Sequence, residues 1–251
     1  MKSFGGACAV VMAAMATMAP WGCDSGDDGP SKVVLSGTAY TFNTPNPVAG
    51  ALVRVVEVPG LETTTAADGT WSLEVPARRE ATPYVEHEGY VTMHLQTFDV
   101  GEEPIERVYF QMVADDIFEL LASVLQITPD PARCQIAGTV SEKAIQTMTF
   151  DEFKAHGAHG VAGATVTITP PSAEVVYFNE MVIPDRTRTE TSRDGGVVWT
   201  NVPAGRYTIK ATQGDWTGYA PTCPGSDWIK IESPRVYEQT LEVVGCRMTG
   251  D

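Results

Sequence analysis

Apolar and polar residues alternate in short runs along most of this chain, and Gly, Pro, Asn or Asp closes each run. A period of two marks a half-buried strand. It predicts strands over residues 32–41, 49–58, 61–66, 70–75, 84–85, 91–98 and 107–113, and later over 197–202, 206–213, 227–232 and 237–244. Trp71, Leu73 and Val75 share one face of the fourth strand, so that face is expected to be core. Between the two blocks the period becomes helical over 116–126. Ile117, Leu120, Leu121, Val124 and Leu125 form one apolar stripe there. Asp116 with Glu119 reads as a capping box, and Pro129 and Pro131 end the run. The stripe is expected to pack on both strand blocks and fix their angle.

The two blocks repeat one phrase. Pro47-Val48-Ala49-Gly50-Ala51-Leu52-Val53 returns as Gly160-Val161-Ala162-Gly163-Ala164-Thr165-Val166. Gly37-Thr38 precedes the first copy and Gly138-Thr139 the second. Thr65 then Asp68-Gly69, Val75-Pro76-Ala77 and Gly89-Tyr90 follow the first. Thr191 then Asp194-Gly195, Val202-Pro203-Ala204 and Gly218-Tyr219 follow the second. Landmarks in one order, twice, are an internal duplication.

This frame resembles the carboxypeptidase regulatory-like domain, over residues 33–113 and 134–246. The resemblance implies an all-β chain: two tandem seven-stranded transthyretin-like (prealbumin-like) β-sandwiches joined by one short helix. Such domains are attached to many unrelated proteins, so the resemblance specifies fold and not function. The expected organisation is a signal peptide at 1–22, a tether at 23–31, a first sandwich at 32–114, a helical linker at 115–132 and a second sandwich at 133–251.

The second copy carries two insertions. Gly37 to Gly50 spans 13 residues, against 25 from Gly138 to Gly163; Gly50 to Asp68 spans 18, against 31 from Gly163 to Asp194. The first insertion holds Thr149-Phe150-Asp151-Glu152, a capping box that opens a short helix. The second reads as an added hairpin around Asn179-Glu180. Strand alternation puts the insertions at opposite ends of the sandwich. Long loops on a rigid scaffold are where binding concentrates. Tyr177, Phe178, Met181 and Ile183 of the hairpin are therefore the ligand-binding candidates, with Trp216, Tyr219 and Trp228 near the last loops beside them; the alternative for these aromatics is core packing, since large rings in small sandwiches usually fill the interior.

Lys2, the apolar run 7–19 and Gly22-Cys23 before the polar stretch 24–30 resemble a bacterial lipoprotein signal, which implies lipidation at Cys23. Pro20 and Trp21 depart from that pattern; an ordinary secretory signal cut after Ala19 is the alternative. The expected address is the cell envelope, lipid-anchored to a membrane without spanning it. The formal net charge is −15, a surface that repels phosphate backbones, so nucleic acid is excluded as a partner. Export favours a disulfide. Alternation places Cys223 and Cys246 at one end of the second sandwich and Cys134 at the other, so Cys223–Cys246 is the expected bridge, with Cys134 a buried thiol.

No Gly-x-Ser-x-Gly elbow and no phosphate-binding Gly loop with Lys occurs. His156 and His159, below Asp151 and Glu152, are the nearest approach to a metal set, yet lack the usual His-Glu-x-x-His. His87 and His94 are expected at the surface. No catalytic residue, cofactor or metal is expected. The resulting expectation is a non-catalytic envelope lipoprotein that binds protein or carbohydrate. The alternatives are a rigid spacer without a ligand and a metal-dependent hydrolase.

Overall fold

The computed structural model describes residues 31–251 apart from 43, 45, 131, 143, 146–147, 158–159, 204–205, 213–214, 223–229, 233–239 and 245–251. The chain is an all-β sandwich protein with two helices among the described residues. The first block holds β1 (Lys32–Thr41), β2 (Leu52–Val55), β3 (Glu62–Thr64), β4 (Thr70–Pro76), β5 (Arg79–Ala81), β6 (Pro83–Glu86), β7 (Met93–Val100) and β8 (Ile105–Met112). β1 pairs antiparallel with β4 and parallel with β8. The facing sheet runs β3, β2, β6, β7, with β5 on the far end of β7. Leu35, Trp71, Leu73 and Phe110 meet Val53, Val85, Met93 and Leu95 in one core. β5 was not anticipated from the sequence; it is three residues long, too short to show a period.

Helix α1 (Asp115–Leu125) follows β8 directly. Its N-cap is Ala114, without a side-chain cap, which corrects the expected capping box at Asp116. The backbone of the Gly89-Tyr90 corner does that work. Tyr90 pairs with Ala114, and the Asp115 N–H donates to the Gly89 carbonyl at 3.0 Å. An N–H satisfied by a neighbouring carbonyl needs no side-chain oxygen. At the other end Gln126 adopts the left-handed conformation, and Arg186 Nη2 donates to the Leu125 carbonyl at 3.0 Å.

The second block holds β9 (Cys134–Ser141), α2 (Phe150–His156), β10 (Val166–Thr169), β11 (Val176–Phe178), β12 (Pro184–Asp185), β13 (Gly196–Val202), β14 (Arg206–Ala211), β15 (Asp215–Thr222), β16 (Lys230–Glu232) and β17 (Thr240–Val244). One sheet runs β15, β9, β13, β11, β12 and the other β10, β14, β17, β16. Ile136, Val140, Val197 and Trp199 pack there against Val166, Ile168, Tyr207 and Ile209. The capping box at α2 forms as expected: Thr149 Oγ1 accepts from the Glu152 N–H, and Glu152 Oε2 accepts from the Thr149 N–H at 2.7 Å.

The duplication is visible bond for bond. Thr65 Oγ1 accepts from the Ala51 N–H at 2.9 Å and donates to the Val48 carbonyl at 2.7 Å. Thr191 Oγ1 accepts from the Ala164 N–H at 2.9 Å and donates to the Val161 carbonyl at 2.5 Å. Both hydroxyls are buried, and each satisfies a donor and an acceptor at the start of its inner strand. Gly69 and Gly195 both take positive φ in the Asp-Gly turn, and a Cβ at either would lie 2.4 Å from the carbonyl of Ala39 or Val140.

The two cores stay separate, but the backbone ladders do not. One edge of β7 carries Tyr219↔Leu95 and Ala220↔His94 to β15, then Ile231↔Gln96 and Glu232↔Thr97 to β16. Strands from the second block thus cover the free edge of the first. β15 lies antiparallel beside β9, where the first block has the parallel β8 beside β1. It takes in Gly218-Tyr219, the counterpart of the Gly89-Tyr90 corner, so the second copy runs straight where the first turns.

Cys134 is buried and disulfide-bonded, which corrects the expectation of a thiol there. Cys223 and Cys246 lie outside the described residues. The β15–β9 register ends with Thr222 opposite Gln135, the residue next to Cys134. Mass mapping of a non-reduced digest is therefore expected to recover Cys134 joined to Cys223. A Cys223–Cys246 peptide would contradict that register.

Candidate functional site

A cavity of about 690 Å³ opens between the two blocks. Three elements close it. The first is α1, whose Phe118, Leu121, Ala122 and Leu125 face it. Leu125 also packs with Val176, Phe178 and Val198 in a small cluster that Leu121, Ile127 and Val182 extend. The outer part of the stripe does not join this packing, since Leu120 and Val124 remain exposed. The second element is α2 of the first insertion. Its Phe150 and Phe153 pack against Tyr40 and Tyr109 of the first block, with ring centroids 5.2–5.8 Å apart. The Tyr109 hydroxyl donates to the Met148 carbonyl at 3.2 Å, and burial raises its pKa. The third is the hairpin β11–β12, where Tyr177 stands opposite Asp185 and Phe178 opposite Pro184.

Both insertions therefore line one cavity, Phe153, Lys154 and Gly157 from one and Phe178, Glu180 and Val182 from the other. This corrects their expected separation to opposite ends. Strand direction sets where a loop leaves the sandwich, but a helix and a hairpin reach back over the face of the first block, where aromatic surface draws them.

The hairpin candidates divide. Tyr177 is buried in the second core, and its hydroxyl oxygen accepts from the Val166 N–H at 3.0 Å. Phe178 is buried at the cavity wall. Neither is exposed; both take the core-packing alternative, because period two turned them toward apolar neighbours on the two sides of a covered sheet. Met181 and Ile183 are exposed at the tip, 70% and 40%. Asn179 Oδ1 shapes that tip by accepting from the Met181 and Ile183 N–H groups. Side chains of Trp216, Tyr219 and Trp228 lie outside the described residues, as do Cys23 and His159.

The polar lining is sparse. Lys154 Nζ lies 2.7 Å from Asp151 and 4.9 Å from the centroid of the Phe150 ring. Glu180 lies 3.5 Å from Arg188. Asp194 Oδ2 accepts from the Gly196 N–H at 3.1 Å, and burial raises its pKa to about 6. The matching Asp68 of the first block is exposed, accepts from both the N–H and the hydroxyl of Thr70, and has a lowered pKa. One motif position thus has opposite electrostatics in its two copies.

One anchor of the cavity had no signal beyond a polar residue in a strand. Asn201 takes positive φ at a register break of β13. Its Oδ1 accepts from the Asp130 N–H and from Gln135 Nε2, and its Nδ2 donates to the Thr128 carbonyl. This ties the segment after α1 to the second sandwich, with Gln135 on the cavity wall.

His94 is buried rather than at the surface. It stacks on Tyr84 with centroids 4.9 Å apart, and desolvation lowers its pKa to about 3. His87 Nδ1 lies 2.8 Å from the Glu88 carbonyl and His156 Nε2 3.6 Å from Glu142. Among the described residues no group of three or more His, Cys, Asp or Glu is placed to hold a metal ion. Nor is any helix there long and apolar enough to cross a membrane.

No protein-family model matches the sequence, and no curated protein matches it. Among solved structures the chain is similar to an N-terminal interface mutant of a type II cohesin–X-dockerin complex from Acetivibrio cellulolyticus. That match has 16% identity and a TM-score of 0.27, over 50% of this chain and 86% of that one. It is also similar to the Bacillus anthracis TIE protein, at 16% identity and a TM-score of 0.25 over 77% of this chain and 32% of that one. At these scores neither likeness bears on the site.

Proposed function

We propose that this protein is a non-catalytic, exported lipoprotein of two carboxypeptidase regulatory-like sandwiches, lipidated at Cys23, that binds a ligand at the cell envelope. The binding region is the cavity between the blocks, with Met181 and Ile183, exposed on either side of the lining residue Val182, available to a protein or carbohydrate. One observation carries the reading. Both insertions that distinguish the second copy from the first line the same apolar-walled cavity. Its volume falls in the range of about 300–1,000 Å³ typical of ligand pockets.

Two measurements test it. Cys23→Ser is expected to move the protein from the membrane pellet to the soluble fraction; retention in the pellet would remove the anchor. A neutral solvatochromic naphthalene dye is expected to brighten with wild type and not with Ala137→Phe, which places a ring in the cavity wall. Equal brightening of a folded Ala137→Phe variant would move binding elsewhere.

A further inference from the structure

We propose that the cavity takes an apolar molecule with a cationic amine head, and that Asp194 receives that head. The inference rests on the cavity being a binding site, and adds a small apolar ligand inside it to the protein or carbohydrate met by the exposed hairpin tip.

The argument starts from the duplicated turn. Asp68-Gly69-Thr70 in the first copy is Asp194-Gly195-Gly196 in the second. Thr70 supplies two donors to Asp68. Gly196 supplies only its N–H to Asp194, so the second copy lacks the hydroxyl donor that stabilises the carboxylate in the first. A side chain at 196 would displace the Asp194 carboxyl. A Cβ there would lie 2.4 Å from Asp194 Oδ2 and 3.0 Å from the Phe178 ring. The glycine thus lets Phe178 and the Asp194 carboxyl sit together on the cavity wall.

A carboxylate against apolar surface is unfavourable unless a donor or a cation meets it. Asp194 keeps its proton up to about pH 6 through burial, with no basic partner among the causes. The other ionic groups of the lining are paired or solvent-exposed. Lys154 is held by Asp151 and Glu180 by Arg188, while Arg193 lines the open, solvent-exposed part of the cavity. An amine whose tail fills the apolar part of the cavity would supply the missing charge, and the net charge of −15 draws cations rather than anions toward the protein.

The test is competition at pH 8 against the bound naphthalene dye, with decylamine, decan-1-ol and decanoate as probes of equal tail. Decylamine is expected to displace the dye at least about tenfold more tightly than the alcohol, as for a charged hydrogen bond, with decanoate weakest. Asp194→Asn should bring amine and alcohol together, while Asp68→Asn should leave the preference intact. If the alcohol or decanoate binds wild type as tightly as the amine, the head assignment is wrong and the cavity still binds. If neither dye nor competitors bind, the cavity reading fails with it. The wild-type series decides the question even if Asp194→Asn folds poorly.

Discussion

Gly37→Ala is expected to be among the most damaging single substitutions in the chain, lowering stability by about 3 kcal/mol or more. The cause is local. The register between β1 and β8 slips between Leu35 and Gly37, where β8 carries an extra residue and Arg107 takes positive φ. The bulge pushes β8 onto Gly37, so that a Cβ there would lie 1.7 Å from the Val108 carbonyl oxygen and 2.7 Å from the Val108 nitrogen. Backbone atoms cannot swing aside as a side chain could, so the parallel ladder must part. Denaturant unfolding of the purified variant measures the loss. A change below about 1 kcal/mol would mean that β8 does not lie against β1 in this register.

The second large effect has a sign that depends on pH. The Asp194 pKa is raised in the folded state, from 3.8 to about 6. Below pH 3.8 both states hold the proton and the group is neutral to stability. As pH rises from there to about 6 the unfolded chain releases its proton first, so stability falls across that window and stays lowered above it. The full difference is about 3 kcal/mol, and partial solvent access trims it to about 2. Asparagine keeps an oxygen for the Gly196 N–H but cannot ionise. Asp194→Asn should therefore melt higher than wild type at pH 8 and alongside it near pH 4. An Asp68→Asn variant should show no such gain, since that carboxylate is favoured by Thr70. A variant no more stable at pH 8 than wild type would show that Asp194 is solvated.

Much of this architecture was legible in the residues because the duplicated landmarks are structural devices. Gly37, Thr65 and the Asp-Gly turn each hold a backbone group in place, and devices of that kind must sit at fixed spacing. β1 and α2 lie where alternation and a capping box put them. What could not be read were features made by the neighbouring block. The N-terminus of α1 is held by a carbonyl at Gly89, which leaves no side-chain mark. β15, with Gly218, Tyr219 and Pro221, falls between the expected strands 206–213 and 227–232, and only its partners β9 and β7 make it a strand. Tyr177 and Phe178 alternate as a surface hairpin would, yet α1 and the second core cover both faces. Asn201 had no local signal because its partners are 66 to 73 residues away. The cavity belongs to the same class, since no single block contains it.

Methyl NMR during titration with decylamine tests the central claim most directly, that the space between the blocks is the binding site. The account predicts shifts at Leu121, Leu125, Ile127, Val182 and Val198, with Leu35 and Val53 of the first core and Ile168 of the second unchanged. Shifts confined to the exposed Leu120 and Val124, or no shifts at all, would contradict it.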